Sequence, residues 1–211
     1  MLKKFSEFIE EGMWGSALKR SNTGEERRES KDNTQYIDLG LPSGTLWADR
    51  NIGATEPEEY GDFYAWGETE PKNEYIWDTY KWGADCTKYN DKDGKTVLDP
   101  EDDVVYLKTK GEAHIPTIEQ IQELLDNTTT ENQIVNQVEG KLYKSKVNGN
   151  NIFLPFAGDC DYYMGGNLWS NYCSSSNFDK RNIHYLYISR NTSDIFTTNR
   201  CDGFSVRGVK N

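Results

Sequence analysis

Glutamate and glutamine are missing from one long stretch of this chain, Asp159 to Phe204, although the chain as a whole is rich in acid. Other scarcities run through the entire sequence. No apolar run approaches the roughly 18 residues of a membrane span, so membrane insertion is not expected. The four cysteines, Cys86, Cys160, Cys173 and Cys201, form no C-x-x-C pair, and there are only two histidines. That pattern speaks against a zinc site, and the spacing assigns no disulfide. Basic residues are in deficit: 24 Lys and Arg against 35 Asp and Glu give a net charge of -11 and a pI near 4.7. Nucleic acids and anionic membranes need cationic patches, so neither is an expected partner. Near the start, Glu7, Glu10 and Glu11 follow Lys3 and Lys4 where a secretory signal would carry its apolar segment, so no Sec signal is read there.

What is present divides the chain into three parts. Leu2, Phe5, Phe8 and Ile9 recur at helical spacing, and Met13, Trp14, Ala17 and Leu18 extend the stripe, which predicts a short helix over residues 1–20. A helix this short is marginal alone. Its apolar face packs on its own domain, on another protein, or on another copy of itself. Residues 21–35 are charged and without pattern, which reads as a linker. Residues 36–211 form the globular part, long enough to bury a core.

Within that part, Tyr36–Leu39 and Thr45–Ala48 read as strands around a Leu41-Pro42-Ser43-Gly44 turn. A further strand is expected at Phe63–Trp66. Asp99-Pro100-Glu101-Asp102-Asp103 reads as a helix start with Asp99 as cap. Asp91, Asp93 and Gly94 suggest a calcium loop, but the register puts Tyr89 and Pro100 where acids are required. Thr117 with Gln120 makes a capping box for IEQIQELLDN, whose buried stripe is Ile118, Ile121, Leu124 and Leu125. His114, with no nucleophile context in view, reads as a structural histidine. Asn148-Gly149 joins strands at Lys141–Lys146 and Ile152–Pro155 into a hairpin. Strands are also expected at Ile183–Ser189, Ile195–Thr198 and Phe204–Val209.

The final third is written in Tyr, Ser, Asn, Asp, Thr, Gly, Arg and Cys. That is a binding alphabet: tyrosine gives rigid contact area, and the small polar residues give adaptable hydrogen bonds. Candidate ligand-binding residues are Tyr162, Tyr163, Asn167, Leu168, Asn171, Tyr172, Cys173, Asn177, Phe178, Arg181, Asn182, Tyr185, Tyr187, Arg190, Asn191, Phe196, Thr198, Arg200, Cys201 and Asp202. No catalytic residue, metal ligand or cofactor is assigned.

The motifs YIDLGLPSGTLWA (36–48), NIGA and YGDFYAWGET (51–54, 60–69), TVLDPEDD (96–103), IPTIEQIQELLDN (115–127), NGNNIFLPFAG (148–158) and GFSVRGV (203–209) resemble those of the Fibrobacter succinogenes major paralogous domain family, in family order. Cys173 stands where that family usually has Trp, and Gly208 where it usually has Pro. The resemblance implies an α+β, C-type lectin-like fold with two helices and small antiparallel twisted sheets. Several members of this fold resemble the variable proteins of diversity-generating retroelements. In those proteins adenine mutagenesis of asparagine codons reaches Tyr, Ser, Asp, Thr, Arg, Cys and Gly, among others, but not Trp, Met, Gln, Lys or Glu. The stretch 159–204 keeps to that set except for Met164, Trp169 and Lys180, and Cys173 and Cys201 then read as diversified positions.

The function so implied is a receptor-binding adhesin at a phage tail fibre or tail tip, in the virion or otherwise extracellular. Its partners are a host-surface protein or glycan and, through residues 1–20, a fibre protein or further copies of the chain, a trimer being favoured. The alternatives are a bacterial surface or secreted lectin-like domain without diversification, a structural decoration domain, a formylglycine-generating-type oxidase, for which no cysteine pair is recognisable, and a calcium-dependent sugar lectin, whose E-P-N and W-N-D motifs are absent.

Overall fold

The computed structural model describes residues 33–158 and 168–211, which belong to one unit, Asn33–Asn211. The expected helix at 1–20, most of the linker, and candidates Tyr162, Tyr163 and Asn167 lie outside the described residues.

Among the described residues the architecture is mixed α+β, mostly sheet, with two α-helices and small, mainly antiparallel sheets. Strands β1 (Tyr36–Asp38) and β2 (Leu46–Asn51) join β11 (Arg207–Lys210) in the order β1-β2-β11, so the two ends of the unit share a sheet. A second sheet is a meander of β4 (Thr128–Val135), β5 (Val138–Ser145) and β6 (Asn151–Pro155). The largest has the order β3-β10-β7-β8-β9, built from β3 (Phe63–Tyr64), β10 (Phe204–Ser205), β7 (Trp169–Asn177), β8 (Asn182–Ser189) and β9 (Ser193–Asn199). Among its described strands β10 and β7 run parallel, and the other neighbours run antiparallel.

Helix α1 spans Val104–Lys108, and α2 spans Ile118–Asn127. The capping box of α2 is as expected: Gln120 N–H donates to Thr117 Oγ1 and Thr117 N–H to Gln120 Oε1. Ile121 and Leu124 are buried from this helix, which packs on β7, β8 and β9. Each such side chain contributes about 2 kcal/mol by leaving water.

Three local expectations change. Asp99 makes no cap bond, because Pro100–Asp102 is a 3-10 turn. The α1 cap is Asp103, whose Oδ1 accepts from Val105 and Tyr106 N–H while Oδ2 accepts from Ile115 N–H. Strand β5 begins before Lys141 and pairs with a strand the pattern does not reveal, β4, across Asn136-Gln137. Both turn residues have positive φ, 46° and 71°, as a tight primed turn requires.

The largest change concerns β7. The stretch SNYCSSSN lacks any strand signal, yet seven consecutive residues, Ser170 to Ser176, are buried in the middle of the main sheet. Tyr172 enters one core cluster with Trp47, Ile121, Leu124 and Leu186, while Cys173 enters another with Trp66, Ile183 and Phe204. The triple serine is a junction. Ser174 carbonyl accepts from Trp66 Nε1 at 3.0 Å, Ser175 carbonyl from Leu98 N–H at 3.0 Å, and Ser176 Oγ from Ile118 N–H at 3.1 Å. Small side chains let three other segments approach this backbone and satisfy their polar groups there.

Arg207 is 1% exposed. It donates to Asn51 Oδ1, Ala48 carbonyl and Phe153 carbonyl at 2.9–3.0 Å, tying β2 and β6 to β11. In the next residue, a Cβ on Gly208 would stand 2.8 Å from Val105 Cγ1, so glycine lets α1 pack on the last strand.

Candidate functional site

Alternation decides which side chains β8 shows to solvent. Leu186 and Ile188 point beneath α2, and Tyr185 and Tyr187 take the opposite face and are half-buried. On β9, Phe196 stands directly across from Tyr185, and Asp194 across from Tyr187. On β7, Asn171 stands across from Tyr187, with Trp169 two residues before it. These positions form a diagonal row of rings. Trp169 lies 6.0 Å from Tyr187, Tyr187 lies 5.8 Å from Phe196, and Phe196 lies 6.4 Å from Tyr185. Tyr185 then meets Phe204, at 6.0 Å, where the row enters the core. Phe196 is 48% exposed, a large apolar ring open to water.

The hairpin ends carry the other surface candidates. Asp179 Oδ1 accepts from Arg181 and Asn182 N–H, a side-chain turn that fixes the β7–β8 loop. Arg181 lies over Trp77 at 4.4 Å, and exposed Phe178 meets His184 edge-on at 5.3 Å. At the β8–β9 loop, Arg190 makes a two-pronged pair with Glu139, which sets the Glu139 carboxyl below its usual range, and Asn191 is exposed. Thr198 Oγ1 donates to Asp202 Oδ2 at 2.6 Å. Leu168 is exposed, and Asn177 donates weakly to Lys95 carbonyl.

Five candidates are not on the surface. Tyr172 lies 3% exposed in the core, where its hydroxyl donates to Pro155 carbonyl and accepts from Asn51 Nδ2. Burial pushes the Tyr172 hydroxyl and the Cys173 thiol to higher pKa, so both stay protonated. Cys201 packs with Phe63, Tyr75 and Tyr80. Arg200, wholly buried, donates to the carbonyls of Lys88, Tyr89 and Asp179 and stacks over Trp66 at 4.8 Å. Asn171 is 9% exposed, and its Oδ1 has no hydrogen-bond partner. The first four are frame residues, because a polar surface composition also serves a strand that must receive loops on both sides. The sequence reading missed the part Trp169 plays in the row; its place two residues before Asn171 becomes informative only once β7 is known to be a strand.

Away from the row, a cleft of about 360 Å³ is lined by Asp85, Cys86, Thr87, Asn90, Asp91, Lys92 and Lys180. Burial raises the pKa of the Cys86 thiol, which leaves it protonated and a poor nucleophile. The carboxylates of Asp99, Glu101 and Asp102 come within 4.8 Å of one another, close enough to hold a cation. Lys88 Nζ already sits among them, at 2.7, 3.2 and 2.6 Å, and lies over the Tyr89 ring. Asp93 spends its carboxylate on the N–H groups of Tyr89, Asn90 and Lys95. Among the described residues no helix is long and apolar enough to cross a membrane.

Compared with family models, with curated proteins and with solved structures, the chain matches none.

Proposed function

We propose that this protein is a receptor-binding module of the C-type lectin-like kind, carried at a phage tail fibre or tail tip, with its last third diversified by a retroelement. The observation that carries the reading is the aromatic row Trp169–Tyr187–Phe196–Tyr185 on the outward side of strands whose other side is held under α2. Rigid rings on a supported sheet offer contact area with little rotamer entropy to lose, and such residues dominate binding hot spots. The ligand is a protein or glycan of the host surface. Residues 1–20 attach the domain to its fibre or to further copies, with a trimer favoured.

Sequencing the flanking DNA tests diversification. A reverse transcriptase and a near-copy of codons 159–204 are expected, with differences at Phe178, Arg181, Tyr185, Tyr187 and Phe196 and none at Ser174–Ser176. No near-copy, or differences that fall equally on the buried serines, overturns that part. One observation favours the undiversified alternative, a bacterial surface or secreted lectin-like domain. The permitted alphabet extends through Ser170–Ser176, where burial leaves no freedom to vary.

A further inference from the structure

We infer that the row is a carbohydrate site, in which a pyranose ring lies on Trp169 and Tyr187 and one of its hydroxyls donates a hydrogen bond to Asn171 Oδ1. The inference rests on the proposed reading that this face binds.

Two features choose a sugar over a protein surface. Trp169 and Tyr187 are 6.0 Å apart and tilted by only 31°, whereas Tyr187 and Phe196 meet at 84°. The first pair thus sets its ring faces nearly parallel, as a shelf for a sugar requires, and the negative face of an aromatic ring attracts the positively polarised C–H groups on one side of a pyranose. The second feature is the Asn171 carbonyl. It lies between the shelf residues in register, across from Tyr187, without a donor. A buried amide oxygen left unpaired is costly, and a ligand rich in hydroxyl donors relieves it. The oxygen is shielded from solvent, so docking includes a turn of the amide about χ2 that brings it to the surface. Exposed Asp194, next to Tyr187 on β9, adds a carboxylate acceptor at the rim. Recognition by shelf and acceptors needs no divalent ion, and the acids near residue 100 already hold Lys88.

The test uses the full chain, saturation-transfer NMR with the methyl glycosides of glucose, galactose, mannose and N-acetylglucosamine, and a printed oligosaccharide array, each with and without EDTA. Binding is expected, unchanged by EDTA. It should weaken tenfold or more in Trp169→Ala and Tyr187→Ala and stay unchanged in Ile134→Ser, an exposed β4 position outside the row. Asn171→Leu separates a ligand role from a packing role: affinity falls tenfold while Tm holds or rises, because an unpaired carbonyl has been removed. No retained glycoside or oligosaccharide, loss of binding in EDTA, or wild-type affinity in Asn171→Leu overturns the inference. A parallel arm distinguishes its failure from failure of the adhesin reading. Labelled protein is offered to a panel of bacterial cells treated with periodate or with protease. Retention that Tyr187→Ala abolishes, that protease removes and that periodate spares means a protein ligand: the sugar inference falls and the adhesin stands. Retention on no cell sinks the adhesin reading itself.

Discussion

Strand β7 reads WSNYCSSSN and strand β9 reads SDIFTTN, two polar strings of much the same letters. Yet β7 buries seven residues in a row and β9 buries none fully. The difference is position. β7 has β10 on one side and β8 on the other, with core clusters above and below, whereas β9 is the edge of its sheet. Residue type thus fixes what a strand can tolerate, and topology fixes whether it meets water. Two arginines repeat the lesson. Arg200 is locked to three carbonyls inside the frame, and Arg181 lies exposed over one indole.

That contrast can be broken or sharpened by substitution. The largest effect is expected for Arg200→Ala, which leaves three carbonyls without their donor. At 1–3 kcal/mol for each unsatisfied group, partly relieved by water, the loss should reach about 4 kcal/mol. That lowers Tm by about 10 °C in thermal unfolding. Tyr172→Ser opens a cavity between Trp47 and Leu186 and should cost about 3 kcal/mol, read from urea unfolding with unchanged m. If either variant were as stable as wild type, the division between frame and face would be wrong. Arg181→Ala should cost under about 1 kcal/mol, the scale of one exposed cation–ring contact. The double variant Tyr187→Ser, Phe196→Ser should lose about 1 kcal/mol of stability yet most of any ligand affinity, since both rings lie on the face away from α2. Acid gives a control outside both strands. Bonds from Lys88 and Lys95 hold the Asp99 carboxyl at about 2, below its ordinary 3.8. Its folded value lies below its unfolded one, so its stabilisation is full above pH about 4 and is lost as pH falls toward 2. Lys88→Met should flatten that part of the acid unfolding curve, in wild type and face variants alike.

Much of the frame was legible because local signals agreed with the fold. The Thr117 capping box, the Asn148-Gly149 turn and the alternation of β8 each have a short-range physical cause, and each stands where expected. Tyr185, Tyr187 and Phe196 were readable as outward for the same reason. What escaped depended on distant partners. The β4–β5 turn uses Asn136-Gln137, without the glycine that marks such turns, so β4 gave no sign. The serines of β7 are strand residues because Leu98, Pro116 and Trp66 come to their backbone, and nothing within nine residues says so. Arg200, Cys173 and Cys201 shared an alphabet with the surface, and composition alone could not sort them.

Lys88 has one more consequence. Loops rich in carboxylates commonly collect their neutralising charge from the surrounding fluid. This one grows it on a side chain, between Asp99, Glu101 and Asp102. The counter-charge is therefore encoded in the gene rather than drawn from solution, and a chain without Lys88 would leave three clustered carboxylates to find it elsewhere.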